Sequence, residues 1–162
     1  CKNPDSMEMI RAELQHLRAL QSIRVLQVVD AFEDAQHVFV VTPRVGVDVV
    51  RLVPKAVTAR VLVTEQWMRG ALSQLAEAML FLHHMCFVHC GIEESNIFVV
   101  SDDLRTPQLV LGGYGLTQAF VGGLGALGYV PPEVSASLAW SPRGDVFSLG
   151  VVFYHLLTGK AR

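Results

Sequence analysis

Residues 109–132 contain no charged side chain, and this stretch restricts the possible folds more than any other feature of the chain. An apolar run of about 20 residues would suit a membrane-spanning helix. Here, however, seven glycines and two prolines fall within the stretch. Glycine costs about 1 kcal/mol at each helix position, and proline costs more. We therefore predict no membrane span, and a loop over the glycine-rich part of the stretch.

The same stretch contains the pattern G-x-G-x-x-G at residues 123–128. This pattern binds a dinucleotide pyrophosphate when a strand precedes it and a helix follows it. The residues that follow here are Tyr129-Val-Pro-Pro132, and the two prolines are incompatible with a helix interior. We therefore predict that this glycine pattern does not bind a dinucleotide.

Composition excludes several classes of protein. The 162 residues suit one compact domain, and with 51% hydrophobic and 17% charged residues the chain is not a disordered one. The net charge of −2 and the lack of a Lys/Arg run argue against a nucleic-acid partner. Three cysteines cannot form a closed set of disulfides. We therefore expect a reducing, cytoplasmic environment.

Hydrophobic periodicity predicts an α+β chain whose second half is mainly helical. Apolar spacing predicts helices over residues 7–20 and 64–84, the second capped by Thr64. The β-branched runs at residues 25–29 and 38–42 predict a hairpin. The other predicted elements are a short helix within residues 47–63, strands at 97–100 and 109–111, and a helix that starts at Pro142.

Two groups of side chains are candidates for chemistry. Residues 83–90 include five His and Cys side chains, but all lie near one helix end, whereas zinc sites use two separated pairs. We therefore predict that these side chains are buried around the helix end. Glu93 and Glu94 are predicted to lie in an exposed acidic loop, because glutamate is usually found at the surface. Adjacent side chains rarely converge on one substrate, which argues against a shared role in acid/base catalysis. Asn96 lies between this loop and a strand, where side chains often point into a cleft.

Four segments in order resemble motifs of the protein kinase family. Residues 83–98, HHMCFVHCGIEESNIF, resemble the catalytic loop H-R-D-L-x-x-x-N. Gly113-Tyr-Gly-Leu116 lies where D-F-G-L would be, and residues 129–133 resemble the end of the activation segment. Residues 141–150 resemble the start of the central helix. The resemblance spans nearly the whole chain.

This resemblance implies an α+β, protein kinase-like fold that is mostly the helical C-lobe, with a partial N-lobe of one helix and two strands. The residual N-lobe is expected at residues 1–42, the hinge at 43–46 and the C-lobe at 47–162. We expect a truncated domain, because the glycine loop and the lysine strand do not precede residue 7. The segments AFED and LTG are most similar to calcium/calmodulin-dependent and calcium-dependent kinases.

Carried over residue by residue, the resemblance implies that the catalytic groups are lost. The catalytic aspartate falls on Gly91, and the lysine that contacts phosphate falls on Glu93. The magnesium aspartate falls on Gly113. Asn96, the second metal ligand of the family, is retained as a weak and incomplete site. The degenerate nucleotide cleft is expected at Thr42, Asn96 and Phe98.

Other family positions imply structural roles. The resemblance places the regulatory spine at Leu17, Val28, His89 and Tyr114. It also implies that the Asp145 carboxylate binds backbone N–H groups of the catalytic loop. Two glutamates match positions that form ion pairs in the family, Glu13 with a lysine and Glu133 with an arginine.

The sequence therefore favours a pseudokinase that serves as a scaffold or as an allosteric partner of another kinase. It would bind a protein partner through exposed apolar surface and use neither ATP nor Mg²⁺. One alternative is an active, atypical Ser/Thr kinase that uses ATP and Mg²⁺, with Glu93 or Glu94 as the base. A further alternative is a non-functional, truncated kinase fragment.

Overall fold

The computed structural model of the protein describes residues 4–34, 37–60, 63–101, 103–113, 128–137 and 139–158. In chain order its elements are α1 (Pro4–Ala19), β1 (Asp30–Glu33), β2 (Val38–Val41), α2 (Val49–Thr58), α3 (Glu65–His84), β3 (Ile97–Val99), β4 (Leu109–Leu111), α4 (Pro132–Ser137) and α5 (Pro142–Thr158). Strands β1 and β2 form one antiparallel pair, and β3 and β4 form another. The predicted α+β class is confirmed.

Helix α3 is the central element, and the sequence predicts both of its ends. Thr64 is the N-cap, and its side-chain oxygen accepts a hydrogen bond of 3.2 Å from the backbone N–H of Trp67. The apolar spacing that predicts this helix defines one stripe of side chains, of which Leu72 is exposed. The other members of the stripe are buried: Trp67, Ala71, Leu75, Ala78, Met79 and Leu82. Met68 is buried as well. The helix therefore presents its apolar face to the core of the domain.

The first hairpin strand differs from the prediction. Residues 25–29 were expected to pair with β2, but the strand that pairs is Asp30–Glu33. Phe32 lies opposite Phe39 on β2, and their stacked rings have centroids 5.0 Å apart. This cross-strand contact fixes the register.

The residues of the expected strand have another role. Val25 and Val28 are buried, and Val25 forms a parallel bridge with Leu111 of β4. The charged residues of β1 are tolerated because the hairpin is exposed. Arg11 and Arg18 of α1 form ion pairs with Glu33 and Asp30, respectively.

One hydrophobic cluster connects the elements. It contains residues of α1, α2, α3, β3, β4 and α5, including Leu17, Leu52, Leu75, Ile97 and Val152. Large apolar side chains are also exposed, notably on the hairpin and on the outer face of α5. Among the described helices, none has the length and apolar character needed to cross a lipid bilayer.

Candidate functional site

The candidate site is the loop between α3 and β3. It turns sharply, because Cys86 and Cys90 adopt left-handed backbone conformations with φ of 58° and 63°. The buried side chain of Ile92 anchors the loop in the core. A short 3₁₀ turn, Glu94–Asn96, then leads into β3. The loop is thus held between the end of α3 and the small β3–β4 sheet.

Asp145 of α5 is fully buried and supports this loop. Its Oδ2 accepts a hydrogen bond of 2.8 Å from the backbone N–H of His89. Its Oδ1 accepts one of 2.9 Å from the backbone N–H of Cys90. The ring Nε2 of His83 lies 2.8 Å from Oδ2. These are the backbone contacts that the family resemblance implies for Asp145.

His89 is fully buried beneath the loop. Its Nε2 lies 3.0 Å from the carbonyl oxygen of Gly112, and its Nδ1 accepts a hydrogen bond of 3.2 Å from the N–H of Gly91. An imidazole that accepts at Nδ1 and donates at Nε2 is neutral. Burial lowers the pKa of His89 to about 4, in agreement with this neutral state.

Asn96 links the loop to the segment after β4. Its Nδ2 donates a hydrogen bond of 2.8 Å to the carbonyl oxygen of Gly91, and its backbone carbonyl accepts one of 2.8 Å from Gly112. Gly113 follows with a positive φ of 74°. A Cβ atom at position 113 would overlap with the Asn96 side-chain amide. Gly91, Gly112 and Gly113 therefore all lie against Asn96, the one metal ligand of the family that the sequence retains.

These residues do not fit a magnesium ion. Mg²⁺ prefers octahedral oxygen coordination with carboxylate ligands. Gly91 and Gly113 provide no carboxylate, and the amide of Asn96 occupies the space into which a side chain at position 113 would have to enter. Among the described residues, no group of three or more His, Cys, Asp or Glu side chains could hold a metal ion.

Gly113→Ala should destabilise the protein by about 2 kcal/mol or more, because a side chain adopts positive φ at a cost of about 1–2 kcal/mol and Asn96 must also move. Gly70→Ala is the matched control. It lies in α3 with nothing within 4 Å of the added Cβ, and it should stabilise by about 0.5–1 kcal/mol. Urea unfolding measures both changes. Equal free energies of unfolding for the two variants would contradict the described Asn96–Gly113 geometry.

Two of the residues predicted to form the nucleotide cleft lie on or next to strands. Phe98 is half-buried on β3, and Thr42 is exposed just after β2. The N–H of Gly46 donates a hydrogen bond of 2.8 Å to the carbonyl oxygen of Val99, so the expected hinge segment runs along β3. A Cβ at Gly46 would lie 2.8 Å from that same oxygen, which explains the glycine there.

The other predicted positions are distributed over the fold. Leu17 and Val28 both belong to the buried hydrophobic cluster. Glu133 is exposed in the first turn of α4. Glu13 lies in α1, but its side chain is outside the described part of the chain, as is Tyr114 entirely. The role proposed for Tyr114 and the loop predicted over residues 114–127 remain predictions.

A buried polar cluster was missed by the sequence interpretation. Glu94 was expected to be exposed, but it is only 8% exposed. One of its oxygens accepts a hydrogen bond from the Tyr129 hydroxyl, and the other lies 3.0 Å from Nδ1 of the buried His155. Burial, followed by the carboxylate of Glu94, raises the pKa of Tyr129. The cluster ties the loop to α5 and to the segment before α4.

The His and Cys side chains at the end of α3 are used within the fold. The side chains of His83 and His89 have the partners described above, and the Cys90 thiol lies 3.3 Å from the carbonyl oxygen of Val88. Cys86 is exposed. His89 and Cys90 are thus buried as predicted, whereas His84, like Cys86, is exposed.

Comparison with known proteins places this geometry in context. The profile of the family described as "Protein kinase domain" matches residues 2–162. The chain is 30% identical over 162 residues to calcium/calmodulin-dependent protein kinase type 1 of Macrobrachium nipponense, which covers 96% of this chain and 44% of the relative. It is 31% identical over 156 residues to serine/threonine-protein kinase DCLK2 of Mus musculus, covering 93% of this chain and 20% of the relative.

A solved structure has the same architecture. The crystal structure of Rad53 in complex with AMP-PNP superposes with a TM-score of 0.76 at 27% sequence identity. The match covers 95% of this chain and 38% of that chain. The chain therefore spans less than half the length of these similar proteins.

Proposed function

Because the chain belongs to the protein kinase domain family, we propose that it is a catalytically inactive member that acts by binding a protein partner. The partner would be held on the scaffold or controlled allosterically. The observation that carries this proposal is the pair of glycines at positions 91 and 113, where the family uses carboxylates. Phosphoryl transfer depends on positioning of the reactants and on charge stabilisation, and the family's carboxylates supply much of both.

The charge at position 93 supports the same proposal. The family places a lysine there, next to the transferred phosphate, whereas this chain has Glu93. Two unit charges 4 Å apart interact by about 4 kcal/mol at an effective dielectric constant of 20. A carboxylate here would therefore repel the phosphate that a lysine would attract.

An active, atypical Ser/Thr kinase is the alternative, with a glutamate as the general base. The environment of Glu94 argues against that residue, because one oxygen accepts a hydrogen bond from the Tyr129 hydroxyl and the other lies 3.0 Å from Nδ1 of His155. Glu93 is half-buried and accepts a hydrogen bond from the Ser95 hydroxyl. Glu93 is thus the better candidate base if the alternative holds.

Finer assignments are also part of the proposal. Similarity to the calcium/calmodulin-dependent protein kinase type 1 relative supports a place near that subgroup. The exposed apolar side chains of the hairpin, including the stacked Phe32 and Phe39, support contact with another protein. We propose a cytoplasmic location on the basis of the cysteine content.

Nucleotide binding provides a first test. We expect millimolar Mg²⁺-ATP to leave the unfolding temperature unchanged, because Asn96 alone, without a carboxylate ligand, cannot hold the ion. A ligand at about 100 times its Kd would add about 2.7 kcal/mol of stability, which corresponds to several degrees. The measurement is the unfolding temperature in a thermal-shift assay, compared between Mg²⁺-ATP and ATP with a chelator. A Mg²⁺-dependent rise of several degrees that Asn96→Ala removes would contradict the proposal.

A further inference from the structure

We propose that a basic cavity at the start of α3 binds an acidic peptide segment of a partner protein. The inference rests on the proposed function, since it names the chemistry of the partner that such a scaffold would hold. The cavity has a volume of about 800 Å³ and lies between residues 64–74 and the turn that connects β3 and β4. Three arginines line it, Arg60, Arg69 and Arg105.

The charge of the cavity is opposite to that of the whole chain. The chain has a net charge of −2, yet none of the residues described as lining the cavity is acidic. Two carboxylates of the described residues, those of Glu65 and Asp103, lie near its edge. Glu65 is 2.8 Å from Arg69, and both side chains are highly exposed. A carboxylate of the peptide can therefore replace Glu65 as the partner of Arg69 at little cost in free energy.

The second carboxylate, Asp103, is used by its own turn. It accepts hydrogen bonds of 2.7 Å from the Thr106 hydroxyl and 2.9 Å from the backbone N–H of Arg105. The Thr106 bond, together with that backbone N–H, lowers the pKa of Asp103, which therefore stays ionised and fixes the turn. The turn in this way holds Arg105 at the edge of the cavity.

The walls of the cavity are already fixed by hydrogen bonds. The indole N–H of Trp67 donates to the carbonyl oxygen of Leu104 at 3.0 Å. The side chain of Gln74 donates to the carbonyl of Pro107 at 3.0 Å and accepts from the N–H of Leu109 at 2.9 Å. A preformed site loses little conformational entropy when a ligand binds, which favours affinity.

The arrangement of donors suits a peptide better than a small anion. The three arginines come from three places in the chain, before α3, within α3 and in the β3–β4 turn. A ligand that contacts all of them needs several carboxylates on one backbone, and guanidinium groups bind carboxylates in a bidentate manner. The amide group of Gln66 also lines the cavity and can pair with peptide backbone. The amide N–H groups of Gln108 can do the same, while its oxygen accepts a hydrogen bond of 2.9 Å from Arg24.

The cavity is separate from the candidate active site. None of Thr42, Asn96 and Phe98 belongs to its described lining. Binding of an acidic segment here therefore requires neither nucleotide nor an intact catalytic loop. This separation allows the inference to be tested independently of phosphate transfer.

The test uses a peptide array that varies the number and spacing of glutamates at constant length, with glutamine replacing glutamate in matched neutral peptides. We expect the protein to prefer peptides with two or more glutamates. For the best peptide, fluorescence anisotropy should show affinity that falls with salt. Each of Arg60→Gln, Arg69→Gln and Arg105→Gln should weaken binding about two- to fivefold, and the triple variant at least about tenfold.

Arg51→Gln is the matched control. Its side chain is 76% exposed, against 77% for Arg69, and it also lies near a single carboxylate, but it is outside the cavity. The control should bind like the unchanged protein. Equal binding of acidic and neutral peptides, unchanged binding by the triple variant, or an equal loss in the control would overturn the inference. Phosphate transfer by a protein that still binds acidic peptides would instead contradict only the proposed lack of activity.

Discussion

Asp145→Ala is expected to lower the free energy of unfolding by about 3 kcal/mol or more. The carboxylate accepts two buried backbone N–H groups, from His89 and Cys90, and also contacts the ring of His83. A buried donor left without its acceptor costs about 1–3 kcal/mol. Because alanine leaves both donors unpaired, the unfolding temperature should fall by about 10 °C. Urea unfolding and a thermal melt give the two values.

Two further variants identify the cause of this loss. Asp145→Asn retains one oxygen as an acceptor, and we expect an intermediate loss. Asp103→Ala removes an exposed aspartate that also accepts a backbone N–H, and it should have a much smaller effect. If Asp145→Ala were no more destabilising than Asp103→Ala, the buried role of Asp145 would be wrong.

Acid is expected to destabilise the protein through His89. The unfolded chain has a histidine pKa of 6.5, whereas burial lowers the folded value to about 4. Between these values the unfolded state binds more protons, so stability falls as the pH falls. The contribution of His89 is fully present above pH 6.5 and is lost progressively towards pH 4. The pKa difference corresponds to about 3 kcal/mol.

The measurement is the free energy of unfolding as a function of pH, for the unchanged protein and for His89→Gln. Glutamine lacks the titrating ring, so the variant should lose less stability than the unchanged protein over the same acid range. Parallel curves for the two proteins would show that His89 is not held neutral by the fold. All other ionisable groups are the same in the two proteins, so the difference between the curves reports His89.

Local sequence signals were sufficient for the helices with clear caps. Thr64 and the proline at position 142 mark the starts of α3 and α5 correctly, because capping and proline geometry act over a few residues. The strands β3 and β4 were also found at nearly the right residues. The kinase-like fold required the order of the motifs as well.

The errors arise where tertiary contacts override local preference. The β-branched run at residues 25–29 resembles a strand, but Val25 and Val28 are buried while the charged segment Asp30–Glu33 forms the hairpin. Helix α4 was not predicted, because it has only six residues and begins at the second proline of a pair. Such a short segment gives no clear periodicity.

The buried position of Glu94 could not be inferred from its neighbours in sequence. Its partners Tyr129 and His155 are 35 and 61 residues away, so only the fold brings them together. A buried carboxylate needs polar partners, and both are supplied by distant segments. This cluster and Asp145 hold the loop between α3 and β3 in place through hydrogen bonds from distant segments.

Transfer of the terminal phosphate from labelled ATP tests the central claim most directly. The unchanged protein and the variants Glu93→Gln and Asn96→Ala would each be incubated with Mg²⁺-ATP and a basic acceptor protein. For all three proteins we predict that neither the acceptor nor the protein itself is labelled above the background measured without the protein. Transfer by the unchanged protein that Glu93→Gln and Asn96→Ala abolish would contradict the account and identify an active kinase with Glu93 as its base.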